Sequence, residues 1–237
     1  MGRRIGVWGV CDTGGISIAL RNLLPDAEVT PLVQPKDPAE HAAWFAAFRD
    51  TQDVLVVAAS RALPAEVTGM EAAGLTVIRY PVTYFRAFHP DLFYVGRHSD
   101  KKLIEPAYNS GICVWCHVND VPPERAVALF NHGTYAALGY YDQWEPNVAA
   151  LQAEYDKCGL DFRAFYLRVK RTGAFMHSIN HPKAETIVTL AKVIARKLGA
   201  PDSVMDAPVR IPDGLAHLDW PVYPEIGRFY GLRTAYR

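Results

Sequence analysis

Short apolar runs alternate with helically spaced patterns through the first hundred residues. The runs Ile5 to Val10, Val29 to Val33, Asp53 to Ala59 and Leu75 to Tyr80 are too short for helices. The third is almost unbroken, as expected of a strand covered on both faces. Between them the pattern predicts a helix from Gly14 to Leu24, closed by Pro25. A second opens at Asp37-Pro38-Ala39-Glu40, which supplies an N-cap, a proline at the first helical position and an acidic first turn. Trp44, Phe45 and Phe48 form its apolar face. A third covers Leu63 to Ala73. Four strands joined by helices predict an α/β fold, a doubly wound parallel sheet with right-handed crossovers.

The rhythm changes after Pro81. Tyr84 to Lys102 reads as a loop, and helical spacing then dominates, with helices expected at 107–118, 123–131, 134–141, 145–157, 161–171 and 183–198. The tail from Ala200, rich in proline and aromatics, reads as irregular. No repeat or linker divides the chain. A single domain over residues 1–237 is expected, its α/β half (1–100) packed against a mainly helical half (101–237).

Half of the 237 residues are hydrophobic, and 25 basic residues balance 25 acidic ones. That is enough apolar material for a sizeable core, and the zero net charge lacks the footprint of a nucleic-acid or anionic-membrane binder. Small-molecule substrates are the expected partners; oligomeric state is left open. No apolar run approaches the roughly 18 residues of a membrane span, and Ile5 to Val10 is too short for a signal-peptide core. A cytoplasmic protein is expected, with Cys11, Cys113, Cys116 and Cys158 as thiols.

The most informative chemistry lies at Gly9-Val10-Cys11-Asp12-Thr13-Gly14-Gly15, where the first strand meets the first helix. In open α/β sheets ligands bind at the carboxyl ends of strands. A thiol at a helix N-terminus meets unpaired N–H groups and the positive end of the helix dipole, which favour thiolate. Cys11 is therefore the candidate nucleophile, with a buried structural cysteine as the alternative. Gly9, Asp12, Thr13 and Gly14, with Ser60 after the third strand, are candidates for oxyanion or substrate binding. Asp12-Thr13-Gly14 also spells the aspartic-protease triplet, but that chemistry needs two such aspartates and no second copy exists. The glycines complete neither a dinucleotide fingerprint nor a Walker A sequence.

His181, in a loop before Pro182 and a long helix, is the candidate base; nucleophile and base commonly meet only in the fold. His89 and Asp91 follow the fourth strand, and Tyr108 and Ser110 begin the helical half; all four are candidate substrate contacts, with loop fixing and capping as the alternatives. Arg61, Arg97, Lys101 and Lys102 are candidates for a phosphorylated cofactor, as Arg168, Lys170 and Arg171 could be. Cys113-Val114-Trp115-Cys116-His117 matches haem attachment and contains a redox-type C-x-x-C. It follows a loop rather than a thioredoxin-like strand, its neighbours look like helix core, and no second ligand pair stands out. No haem and no metal are expected.

Several of these pieces, in order, resemble one family. They are Gly9-Val10-Cys11, Leu24-Pro25, Phe88-His89-Pro90-Asp91-Leu92, Tyr108 with Ser110, Leu129-Phe130-Asn131, Leu138-Gly139-Tyr140, Phe175-Met176 and Asn180-His181-Pro182. Together they are similar to the WcbI family of capsular polysaccharide biosynthesis proteins from about residue 4 to 199, with Val10 and Asp12 where the family more often has Asn and Gln. The resemblance implies a bacterial cytoplasmic protein that binds coenzyme A or acetyl-CoA and transfers an acetyl group to a sugar hydroxyl. The layout is also similar to SGNH-type hydrolases and acyltransferases. Ser178 stands where that pattern has an aspartate, so a Cys11–His181 dyad is implied rather than a triad. An acyl-CoA-dependent O-acyltransferase is the leading expectation; an esterase or deacetylase, or a non-catalytic ligand-binding protein, are the alternatives.

Overall fold

The computed structural model describes residues 2–61, 69–71, 74–97 and 102–232, apart from the side chains of residues 49, 97 and 102–107. Strands β1 (Arg4–Trp8), β2 (Glu28–Pro31), β3 (Val54–Ala58) and β4 (Thr76–Tyr80) form a parallel sheet in the order β2-β1-β3-β4. The chain moves outward from β1 to β2, then crosses back to β3. The switch between β1 and β3 opens a crevice at their carboxyl ends.

Side chains of β3 are buried on both faces. Val54, Val56 and Ala58 join Ile5, Val7 and helix α1 (Thr13–Leu23) in the larger core. Leu55 and Val57 point the other way, onto Trp8, Phe45 and Phe48. Helices α2 (His41–Ala46) and α3 (Phe48–Thr51) bring those aromatic rings to the second face, where Trp8, Trp44, Phe45 and Phe48 meet edge to face. Helices thus cover both faces, as the apolar runs predicted. Of the helix expected over 63–73, residues 63–68 and 72–73 lie outside the described residues; 69–71 are helical.

The loop expected from Tyr84 to Lys102 and the helix expected from 107 are corrected. Strands β5 (Leu92–Arg97) and β6 (Lys102–Ser110) pair antiparallel, with Leu92 opposite Ser110 and Tyr94 opposite Tyr108. Register slips between Tyr94 and Gly96, so the alternation is interrupted and the sequence pattern hides the hairpin. Pro106, which cannot donate to a ladder, is tolerated in a two-stranded sheet with open edges. Helix α4 (Gly111–Val118) begins only where Ser110 Oγ accepts the Cys113 N–H.

The remaining helices are α5 (Pro123–Ala128), α6 (His132–Ala137), α7 (Trp144–Lys157), α8 (Phe162–Val169), α9 (Ala184–Lys197) and α10 (Pro224–Phe229). Helix α9 packs along α1 and buries Ile187, Leu190, Ala191 and Ile194. Helix α10 was not expected in the tail. No helix among the described residues is long and apolar enough to cross a membrane.

Phe85 and Phe88, in the segment after β4, pack on Trp144 and Phe175. This packing joins the sheet half to the helical half. Asp91 ties the same region together. Its Oδ1 accepts the Ile112 N–H at 3.0 Å and the Tyr140 hydroxyl at 2.7 Å, and its Oδ2 accepts the Tyr223 hydroxyl at 2.7 Å. His89 donates from Nε2 to the Trp220 carbonyl at 2.8 Å, and burial holds its ring down to about 4.

Two stability predictions follow from this loop. Asp91→Ala strands one buried and two half-buried donors and should cost about 3 kcal/mol in denaturant unfolding, whereas a loss below about 1 kcal/mol would deny Asp91 its joining role. For His89 the folded state holds fewer protons than the unfolded one between pH 4 and 6.5, so its contribution is complete above 6.5 and is lost as pH falls towards 4. Unfolding free energy should drop by about 2 kcal/mol from pH 7 to pH 5 through this group, and His89→Asn should flatten that part of the curve.

Candidate functional site

The turn that ends β1 is shaped by close approach. A side chain on Gly9 would place its Cβ 1.9 Å from the Tyr80 Oη, so only glycine lets β4 come this near. Tyr80 in turn donates to Asp12 Oδ1 at 3.1 Å. Arg61, one of the expected cofactor contacts, lies over the Trp8 ring and donates from Nε and Nη2 to the Gly9 carbonyl at 2.9 and 2.7 Å. Its guanidinium braces the turn. Thr13 Oγ1 donates to the Val10 carbonyl at 2.8 Å, and Gly14 leaves open space before the first helical turn.

Between these braces Cys11 is exposed while Asp12, its neighbour, is buried. Burial raises the Asp12 carboxyl above the ordinary carboxylate range, and the Tyr80 hydroxyl partly offsets this. Asp12 and Cys11 line a cleft of about 450 Å³ with Val10, Ser60, Thr83 and His181, a size within the range of small-molecule sites. Its walls also include Val82, Tyr94, Asn180, Pro182 and Leu215.

His181 reaches the cleft from a closed loop. The His177 N–H donates to the His181 carbonyl at 2.7 Å, the Lys183 N–H donates to the Phe175 carbonyl at 3.1 Å, and Met176 pairs with Pro182. The ring is backed by hydroxyls. Asn180 Nδ2 donates to Tyr94 Oη at 3.0 Å, which leaves its Oδ1 to accept the Tyr108 hydroxyl at 2.7 Å. With its proton committed, Tyr108 Oη accepts from Ser178 Oγ at 3.3 Å and faces His181 Nδ1 at 2.5 Å. Ser178 Oγ also lies 2.9 Å from Nδ1. Nδ1 is therefore the protonated nitrogen, and Nε2 keeps its lone pair. Burial first, then the charges of His177 and His217, lower the affinity of His181 for a proton. It is a neutral imidazole at pH 7, the form that can act as a base.

Tyr108 thus stands behind the histidine, and Ser60 and Asp12 stand in the cleft. His89, Asp91 and Ser110 lie away from it, in the packing and capping contacts described above. Arg97 and Lys102 face each other across the hairpin, their side chains outside the described residues, as is the whole of Lys101. Cys113 and His117 are exposed on α4 and Cys116 is buried there, all apart from the cleft lining. Among the described residues no group of three His, Cys, Asp or Glu side chains could hold a metal ion.

Sequence reasoning missed Val82, Thr83, Tyr94 and Leu215, and it passed over Asn180 and Ser178 except as neighbours of His181. Tyr94 was hidden with its hairpin and Leu215 with the irregular tail. Ser178 carried a usable signal, since its spacing of three from His181 places it at Nδ1.

The family model for the polysaccharide biosynthesis enzyme WcbI matches residues 4–203. The chain is also 27% identical over 161 residues to the LL-diaminopimelate aminotransferases of two Dehalococcoides mccartyi strains, BAV1 and CBDB1. The match covers 64% of this chain and 40% of each relative, so the chain spans well under half of those proteins. No solved structure matches. The chain belongs to the WcbI family of polysaccharide biosynthesis enzymes.

The assigned tautomer can be read directly. Nitrogen-15 NMR should find neutral His181 protonated at Nδ1, with a titration midpoint below the ordinary histidine value of about 6.5. An Nε2–H tautomer, or a midpoint above 7, would reverse the role given to this ring.

Proposed function

We propose that this member of the WcbI family transfers an acyl group, acetyl above all, from a coenzyme A thioester to a hydroxyl of a carbohydrate or sugar nucleotide. One observation carries the reading. The exposed thiol of Cys11 and the neutral imidazole of His181, far apart in sequence, line the same small cleft at the carboxyl edge of the sheet.

The chemistry follows from the partners of His181 Nδ1, which among the described residues are the hydroxyls of Tyr108 and Ser178 and no carboxylate. Hydroxyls orient the ring but stabilise imidazolium weakly. A thiol gives up its proton to such a ring more readily than a hydroxyl does, so the first half-reaction suits this site. In the first half-reaction His181 Nε2 takes the Cys11 proton, and Sγ attacks the thioester carbonyl. The carbon–sulfur bond to coenzyme A breaks, and the departing thiolate receives the proton from Nε2. In the second, Nε2 takes the proton of the acceptor hydroxyl, whose oxygen attacks the acyl-Cys11. Sγ leaves and is reprotonated. N–H groups in the first turn of α1 point back towards this position and suit the developing oxyanion.

The remaining lining divides by chemistry. Val10, Val82, Pro182 and Leu215 suit an acyl chain, while Ser60, Tyr94 and Asn180 suit hydroxyls. A larger hollow of about 690 Å³ takes in Lys183, next after Pro182, and Arg210 and Asp213 from the segment that carries Leu215. On this reading Lys183 and Arg210 are the cations that would meet the cofactor phosphates. Among the described residues the cleft lining includes no lysine that could form a Schiff base, so the aminotransferase activity named for the two relatives has no support in this cleft.

Incubation with acetyl-CoA alone should add about 42 Da to the Cys11 peptide, and a sugar acceptor should remove it. Cys11→Ala should abolish the adduct, and His181→Gln should slow acylation by about 100-fold or more. For the wild type kcat/KM should fall as pH drops through the lowered His181 midpoint. Product formed by Cys11→Ala at the wild-type rate would eliminate the covalent route; loss of the adduct to water alone would favour a hydrolase.

A further inference from the structure

The family match ends at residue 203, yet one wall of the cleft comes from beyond it. Residues 207–223 form an irregular strap whose only regular feature is a single 3-10 turn, Ala216–Leu218. From 208 to 221 only Leu215 is buried. Its side chain lies in the main core cluster and closes the cleft that holds Cys11 and His181.

The strap is pinned on either side of that leucine to one residue. His177 Nε2 meets Asp213 Oδ2 at 2.9 Å, and Nδ1 meets Asp219 Oδ1 at 2.7 Å. The Trp220 N–H adds a bond to the His177 carbonyl at 2.6 Å, and His89 holds the Trp220 carbonyl. Val222 is buried, and Tyr223 donates to Asp91. His177 belongs to the same closed loop as His181, so the base and the wall are positioned by one piece of chain. Towards residue 209 the strap instead borders the larger hollow, with Val209, Arg210 and Ile211 along its edge. It is therefore fixed at Leu215, while Val209 and Ile211 before it are partly buried against the core.

We propose that Leu215 is a specificity-determining residue, limiting the size of the group that can sit against Cys11 Sγ, and that the Asp213–His177–Asp219 clamp sets its position. The identity of that group rests on the acyl-transfer reading, under which the strap selects short acyl chains. The wall itself does not depend on that reading. An apolar side chain is what an alkyl group requires there: a methylene too many or too few in such a pocket changes discrimination by a factor of ten or more.

The test uses two probes on the full-length protein. Cys11 is alkylated with N-methylmaleimide or N-cyclohexylmaleimide, and the Cys11 peptide is quantified by mass spectrometry so that the other three thiols do not contribute. Comparing each variant with the wild type cancels the reagents' intrinsic reactivities. Leu215→Ala should raise the bulky-to-small rate ratio by about 10-fold or more. Leu215→Val should give a smaller rise, and Asp213→Asn/Asp219→Asn a rise in the same direction. In parallel, Leu215→Ala should shift Cys11 acylation from acetyl-CoA towards hexanoyl-CoA by a similar factor. If the maleimide ratio is unmoved in Leu215→Ala and Leu215→Val while acetyl-CoA still acylates the wild type, the wall proposal falls and the transferase reading stands. If the maleimide ratio rises but no thioester acylates any variant, the wall stands and the acyl reading falls. An unchanged ratio in the double clamp variant would overturn the role given to His177.

Discussion

The hydrogen bonding of one nitrogen, His181 Nδ1, governs the site. Tyr108 from β6 and Ser178 from the loop before α9 both reach it, while Asn180 passes the connection on to Tyr94 of β5. The histidine is oriented only because the hairpin and the loop are both in place. The two groups at Nδ1 are neutral hydroxyls, and burial raises that of Tyr108 above its ordinary value. A neutral backing of this kind orients an imidazole and fixes its tautomer without the charge stabilisation that a carboxylate gives to imidazolium. The choice of sulfur at position 11 matches this weakness, because the thiol proton is the easier one to remove.

The other half of the site is held by the sheet. Parallel strands align their carboxyl ends, and the switch between β1 and β3 leaves the turn after β1 without a neighbouring connection on one side. Close approach of β4 through Gly9 and Tyr80, and the Arg61 brace on the Gly9 carbonyl, hold that turn from two sides. An exposed cysteine on an unbraced turn would sample many positions, and effective catalysis needs reacting groups fixed within a fraction of an ångström. Arg61, expected among the cofactor contacts, serves as a structural brace. Its donors are directed to backbone, a use that leaves no mark in sequence.

What was legible in the chain follows the same division. Strands β1 and β3 could be read because they are buried along almost their whole length, and continuous apolar runs survive any register, whereas β2 buries Val29 alone and β4 alternates. Cys11 and His181 could be read because strand-to-helix turns and loops before helices have local signatures. The hairpin could not, because its pairing slips beside Gly96 and its stability comes from packing rather than alternation. With the hairpin went Tyr94, and Tyr108 was placed at a helix start instead of at the end of a strand. His89 and Asp91 drew attention as polar groups near the expected active edge. Both are buried joints instead, and Asp91 finds its partners 21, 49 and 132 positions away. Contacts of that separation are a property of the tertiary structure alone.

The strap extends this reasoning to segments without secondary structure. Residues 207–223 show no hydrophobic period because their buried and half-buried side chains are spaced irregularly among exposed ones. A segment of this kind contributes to a site through a few fixed points, and here two carboxylates hold one leucine between them. Such an arrangement separates tasks that a helix or strand would couple. The family-matched residues supply the thiol, the base and the relay, all of which depend on the sheet and the hairpin. The wall lies outside that region and touches the relay only through the loop shared by His177 and His181. Its side chain also joins the main core cluster, so a change in its size reshapes the wall of the cleft at some cost in packing, while the thiol and the base stay held by the sheet and the hairpin.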